Sequence, residues 1–183
     1  MESAATRLDG PVVIEPVVHA DERGFFLESF RDETLAELGI HDDFVQDNHS
    51  RSTYGVIRGM HFQVDPMVSK LVRCGRGAIV DVLVDIRAGS ETFGQWDAYE
   101  LDDRSHRALY VPPGFAHGFC VVSEVADVLY KQSGYWRDGA DRGFAPDDPD
   151  VGIAWPVPPE SRVFSQRDRE APSLSEVVQL DRR

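Results

Sequence analysis

Two histidines stand where an imidazole could move a proton. His61 lies in Arg58-Gly59-Met60-His61-Phe62-Gln63. If residues 56–62 form a strand, Arg58, Met60 and Phe62 share one face, and His61 shares the other with Ile57 and Gly59. Gly59 leaves room on that face for a ligand or a close backbone. His117 follows the tight turn Pro112-Pro113-Gly114, which delivers it to the start of an apolar strand. An imidazole titrates near neutrality and can serve as an acid, a base or a metal ligand. The metal reading lacks donors, because His61-Phe62-Gln63 contains no second histidine and no close glutamate. Two neutral imidazoles without a carboxylate or thiolate make a poor transition-metal site, so no metal is expected. A lone strand histidine is more often a hydrogen-bonded core residue than a catalyst, and at this point both readings stand.

The rest of the composition narrows the partners. A formal net charge of −13 argues against nucleic acid or an anionic membrane surface. Only two of the 19 basic residues are lysines, Lys70 and Lys131. An anionic ligand would therefore have to be met by locally gathered arginines and one or both of these lysines. Cys74 and Cys120 sit in apolar runs and read as reduced core thiols. No apolar run approaches the roughly 20 residues needed to span a bilayer, and the N-terminus lacks a secretory pattern. A cytoplasmic location is expected.

Short segments at residues 12–14, 24–30, 56–62, 70–74, 79–86, 96–101, 108–111, 118–122 and 128–130 have strand character, punctuated by Gly, Pro, Asp and Ser. Segment 79–86 is rich in β-branched residues and carries Asp81 and Asp85 on its alternate face. Residues 31–38 read as a short helix. After Pro146 the chain is loop-rich until residues 173–180, a second short helix with Ser173 and Glu176 as a capping box. The expected fold is all-β, a jelly-roll β-sandwich with short peripheral helices, in one domain over residues 1–183.

The run Pro112 to Phe119 resembles the second conserved box of the cupin superfamily, with Gly55 to His61 where the first box would be. A closer resemblance rests on nine motifs in order. They are Asp21-x-Arg23-Gly24-x-Phe26-x-Glu28, Gln46-Asp47-Asn48-x-Ser50, Val56-x-Arg58-Gly59-x-His61-Phe62-Gln63, Lys70-Leu71-Val72, Ser90-x-Thr92-Phe93-Gly94, Tyr130-Lys131, Asp148-Pro149-Asp150, Ile153-x-Trp155-Pro156 and Ser165-x-Arg167-Asp168. Together, from about residue 8 to residue 178, they resemble the deoxythymidine-diphosphate (dTDP) 4-dehydrorhamnose 3,5-epimerase family.

That resemblance implies a cofactor-independent isomerase acting on a dTDP-linked 4-keto-6-deoxyhexose. It makes His61 the base that takes a proton alpha to the C4 ketone, and Asp168 the carboxylate that orients it. Lys70 would stabilise the enolate oxygen, and Tyr130 would return a proton to the opposite face. His117 would line the substrate site. Arg23, Glu28, Gln46, Asp47, Asn48, Arg58 and Arg167 fall to substrate binding, the arginines suiting a diphosphate. Trp136 stands where the family commonly has a tyrosine that stacks on thymine, and an indole stacks at least as well. Asp141 replaces a family glutamate with a shorter carboxylate. Arg23 and Glu28 belong to an N-terminal segment that reaches the partner's site, which implies a homodimer. Two alternatives share these residues: an enzyme inverting only C3 or C5 for antibiotic deoxysugars, and a non-catalytic sugar-nucleotide-binding cupin. The set His61, Lys70, Tyr130 and Asp168 argues against the binder, which has no use for acid and base on opposite faces.

Overall fold

The computed structural model describes residues 1–4 and 6–180, and short antiparallel strands dominate it. In chain order these are β1 (Glu2–Ala4), β2 (Val12–Glu15), β3 (Val18–Asp21), β4 (Gly24–Leu27), β5 (Gln46–Thr53), β6 (Ile57–Gln63), β7 (Lys70–Arg76), β8 (Ala78–Asp85), β9 (Trp96–Asp102), β10 (Ala108–Val111), β11 (Phe115–Val121), β12 (Val125–Gln132) and β13 (Asp141–Gly143). Three helices, α1 (Asp32–Glu37), α2 (Gln166–Arg169) and α3 (Leu174–Leu180), lie at the periphery. Two sheets form, in the orders β1-β2-β10-β7-β12-β5 and β13-β6-β11-β8-β9, and β3 pairs with β4 as a separate hairpin. The architecture is the expected jelly-roll sandwich.

Apolar side chains explain why the sheets stack. Val72 and Cys74 of β7, Leu109 of β10 and Val128 of β12 pack with Ile79 and Leu83 of β8 and Phe119 of β11 to fill the space between them. Each buried side chain of this size contributes roughly 1.5–3 kcal/mol over its exposed state. The alternate residues of β8 and β11, among them Val82, Val84, Ala116 and Cys120, pack on the other side with Phe144, Trp155, Val157 and Leu174. The five-stranded sheet is therefore covered on both faces, the second by the chain after β13. This explains the near-continuous apolar character of 79–86. On the far face of the six-stranded sheet, Leu35 of α1 and Ile40 cover Ile14, Leu71 and Tyr110.

The loop-rich C-terminal third is held by specific polar contacts. Asp148 accepts hydrogen bonds from the backbone N–H groups of Asp150 (2.9 Å) and Leu174 (2.8 Å), and the Trp155 indole donates to the Pro146 carbonyl at 2.7 Å. The Ser173–Glu176 capping box forms at the start of α3. Asp85 has a similar fastening role: it accepts from Arg87, Ser90 and Thr92 and closes the β8–β9 connection. Burial alone would raise its pKa, but these bonds hold it well below the usual carboxylate range.

Among the described residues thirteen strands form where nine were expected, β1, β3, β5 and β13 being the additions. The strand over 24–30 ends at Leu27. The polar run Gln46–Thr53, not expected as a strand, forms β5, the edge strand paired with β12.

Candidate active site

A cavity of about 480 Å³ opens between the two sheets, lined by residues of β5, β6, β7, β11, β12 and α2. His61 and Arg58 come from β6, His117 from β11, Lys70 from β7 and Tyr130 from β12, with Arg167 and Asp168 from α2. His61 and His117 are direct cross-strand partners, so both imidazoles belong to one wall. Lys70 opens β7, and Tyr130 stands beside Val72 two positions along, so these two share the facing wall. The Lys70 ammonium is 6.0 Å from the centre of the Tyr130 ring.

The alternation expected for residues 56–62 fails within the strand. His117 pairs with His61, whereas Phe119 pairs with Arg58, so β6 holds one residue more than β11 over this stretch. That bulge resets the side-chain parity. Arg58, expected to point away from His61, instead lines the same cavity. Met60 and Phe62 stay in the core, now joined by Ile57, which was expected on the His61 face. Glycine is needed where the strands cross: Gly59 has φ +145°, and a Cβ there would lie 2.6 Å from Gly118 Cα. Of the two reasons for a glycine at this position, close backbone approach is the one realised.

His61 and Asp168 are 107 positions apart, yet His61 Nε2 lies 2.8 Å from Asp168 Oδ1. The carboxylate is carried on α2, which begins with Ser165 as N-cap; the Asp168 backbone N–H donates to the Ser165 hydroxyl at 3.1 Å. Asp168 is 4% exposed. Burial opposes its ionisation, but the hydrogen bonds from His61 and Ser165 prevail and lower its pKa. A carboxylate at Nε2 favours the neutral tautomer with its proton there, leaving the Nδ1 lone pair basic. Gly143 packs against the same ring, where a Cβ would come within 3.0 Å of Cδ2.

On the facing wall, burial pulls the Lys70 ammonium down to about 8, against the opposing pull of Asp141 and Asp81. Burial raises the Tyr130 phenol, Asp141 adds to this, and Arg58 opposes it. Tyr130 therefore keeps its proton at neutral pH and can give it. Lys70 still carries most of its charge at neutral pH and can stabilise an oxyanion.

The remaining expected residues divide. Arg58 donates to Ser52 at 3.0 Å and Arg167 to Asp141 at 2.6 Å, placing two guanidinium groups at the cavity. Gln46 and Asn48 share the β5 face that carries Ser50 into the cavity, and they form an amide chain. Gln46 donates to Asn48, Asn48 donates to Gln132, and the Trp136 backbone N–H donates to Gln46. Trp136 itself is 52% exposed. Asp47, by contrast, lies on the opposite face of β5, where it accepts from Lys131 at 3.0 Å. Within this chain its side chain points away from the cavity. Arg23 and Glu28 are also remote, on and just after the exposed β3–β4 hairpin, paired with Asp21 and Arg31. Among the described residues, no group of three or more His, Cys, Asp or Glu could hold a metal ion.

Asp81 and Gln132 carried no site assignment in the sequence, and Ser165 entered only as the first residue of the Ser165-x-Arg167-Asp168 motif. Asp81 had left a signal, an acid inside an apolar strand, which is costly unless paired.

Comparison with known proteins agrees with this geometry. The family model for dTDP-4-dehydrorhamnose 3,5-epimerase matches residues 5–176. An enzyme of that name from Methanothermobacter thermautotrophicus is 44% identical over 172 residues, covering 93% of each chain. The crystal structure of dTDP-6-deoxy-D-glucose-3,5-epimerase from Legionella pneumophila, in complex with dTDP-4-keto-L-rhamnose, superposes with a TM-score of 0.92 at 43% identity, covering 95% of this chain and 93% of that one. A 4-keto-6-deoxy sugar epimerase from the novobiocin cluster of Streptomyces spheroides gives 0.93 at 39% identity, over 99% and 91%. On its cavity, its fold and this match across nearly its whole length, the chain belongs to the dTDP-4-dehydrorhamnose 3,5-epimerase family.

Proposed function

We propose that this chain, a single catalytic domain over residues 1–183, inverts C3 and C5 of dTDP-4-dehydro-6-deoxy-glucose to give dTDP-4-dehydro-L-rhamnose. The observation that carries the proposal is the opposed pair of walls, with His61 and Asp168 on one and Lys70 and Tyr130 on the other. The C4 ketone acidifies the C–H bonds at C3 and C5. His61 takes the proton from one such carbon, and the electron pair moves through the new carbon–carbon double bond to the C4 oxygen. Lys70 holds that oxyanion. Tyr130 gives a proton to the opposite face of the same carbon and later recovers one from solvent, which returns the ketone with inverted configuration. His61 releases the proton it took to solvent, and the cycle then repeats at the second carbon. The proton balance closes without a redox cofactor.

Arg58 and Arg167 provide planar donors for the diphosphate, Gln46 and Asn48 provide amides for nucleoside or sugar, and Trp136 stacks on the base. Asp141 orients Arg167. His117 lines the sugar end. The enzyme works in the cytoplasm.

The test is turnover in heavy water. Deuterium is expected at both C3 and C5 of the product; label at only one carbon indicates a single-carbon epimerase, and none indicates a binder.

The active form is a homodimer in which the hairpin of one protomer supplies Arg23 and Glu28 to its partner. Phe25 and Phe26 support this, being large apolar side chains 59% and 71% exposed on β4. Changing both to aspartate is expected to give monomers in sedimentation and to lower kcat/KM about tenfold or more, since buried aromatics dominate such interfaces. A variant that stays dimeric and fully active rules out the exchanged hairpin.

A further inference from the structure

Asp81 lies in the interior of the sandwich, fully buried on β8. Its Oδ2 is 2.9 Å from Nε2 of His117, whose Nδ1 is 3.4 Å from the Lys70 ammonium. Asp81, His117 and Lys70 thus form a line that begins in the core and ends at the cavity. Asp81 itself does not line the cavity. Its other oxygen, Oδ1, is buried with no hydrogen-bond partner among the described residues. A buried carboxylate that served only to stabilise the fold would be expected to have both oxygens satisfied.

We infer that Asp81 is a positioning residue for Lys70: by accepting the Nε2 proton of His117 it fixes the imidazole tautomer, so that the bare Nδ1 receives one ammonium N–H and leaves the other two for the substrate oxygen. The inference rests on the proposed enolate chemistry and extends it to a residue outside the substrate's reach. An ammonium has three donors and no acceptor. The opposite tautomer would set an N–H against an N–H and push Lys70 out of line. Burial of His117, reinforced by the positive charge of Lys70, lowers the imidazole pKa, so His117 stays neutral and can accept. The arrangement parallels His61 and Asp168 across the cavity, with a different outcome: there the histidine keeps a free nitrogen for proton transfer, whereas both nitrogens of His117 are occupied.

The charged and titratable groups around Lys70 set the sign of the pH effect. Asp81 on β8 and Asp141 on β13 favour its charged form. Arg58 and His61 on β6, Arg167 and Asp168 on α2, Tyr130 on β12 and His117 on β11 share the cavity. Asp81→Asn removes one of the two carboxylates that oppose the downward pull of burial. The alkaline limb of kcat, where Lys70 loses its proton, is therefore expected to move to lower pH. An amide can present either oxygen or NH2 to His117, so the tautomer is no longer imposed. The plateau kcat is expected to fall about tenfold or more, by analogy with the loss of a group that orients a metal-bound histidine, with KM for the nucleotide sugar within about twofold of wild type.

A purely structural Asp81 would lower activity evenly across pH; an alkaline limb that does not move, or an unchanged kcat, overturns the inference. If Asp81→Asn does not fold, nitrogen-15 spectroscopy of the wild-type histidines decides the matter at neutral pH. His117 is expected to be protonated at Nε2 and bare at Nδ1, and a proton on Nδ1 overturns the inference. Wild-type turnover in heavy water is the control that keeps the two readings apart. Its failure removes the proposed activity, whereas the tautomer measurement reads the relay independently.

Discussion

Replacing His61 with alanine is expected to lower kcat by about 10³-fold or more, within the range for loss of a general base, and to stop deuterium entering C3 and C5. Affinity for dTDP should stay near that of the wild type, because the arginines and amides proposed for the nucleotide lie elsewhere on the cavity wall. The size of the effect follows from the lack of a substitute base. Both nitrogens of His117 are engaged, one by Asp81 and one by Lys70. Tyr130 holds its proton, since burial raises its pKa. Lys70 stays largely charged at neutral pH, with its pKa lowered only to about 8. Asp168 is a weak base, because its hydrogen bonds keep its pKa below the ordinary carboxylate value. Sustained turnover by His61→Ala would remove this mechanism outright. The depressed Asp168 pKa also carries a stability sign. The dyad's contribution is complete above the ordinary carboxylate pKa of about 4 and is lost as pH falls through the lower folded value.

Much of the fold could be read from the chain because its strands obey simple rules. Segments such as 79–86 and 108–111 are β-branched or apolar and punctuated by turn residues, and both formed. β5 escaped because Gln46–Thr53 contains no apolar residue; it is a strand by virtue of its ladder with β12, a tertiary fact. The same ladder sets the face on which Asp47 lies. Alternation puts Gln46, Asn48 and Ser50 on one face and Asp47 on the other, which a loop reading could not separate. Arg58 was misplaced for a subtler reason. Period-2 reasoning assumes no bulge, and the extra residue near Gly59 reverses the parity between Arg58 and His61. His61 and Asp168 could be paired only through the family resemblance, since no local rule connects residues 107 positions apart. Asp81 was visible but uninterpretable: its partner His117 is joined through the register of β8 with β11, and register depends on the whole sheet.

Tyr130→Phe separates two events that His61→Ala abolishes together. The phenol is half-buried on β12, on the wall facing His61, with the Lys70 ammonium 6.0 Å from the centre of its ring. Phenylalanine keeps the ring, its packing and its contact with the cation, and removes only the ionisable hydroxyl. His61 can still take a proton and Lys70 can still hold the enolate, so the first half of the reaction survives. Without an acid on the opposite face, the enolate is recaptured mainly by the base that formed it. Net inversion is expected to fall by about 10²-fold or more, the lower range for loss of a general acid. Recovered substrate should meanwhile continue to gain deuterium at the attacked carbon, with its configuration retained. That uncoupling of exchange from inversion is the signature of a two-group mechanism. If exchange and inversion decline in equal proportion, Tyr130 acts before the enolate forms, and the acid must be sought elsewhere on its wall. If neither declines, solvent reaches the opposite face unaided, and the cavity needs only His61, Asp168 and Lys70 to do its work.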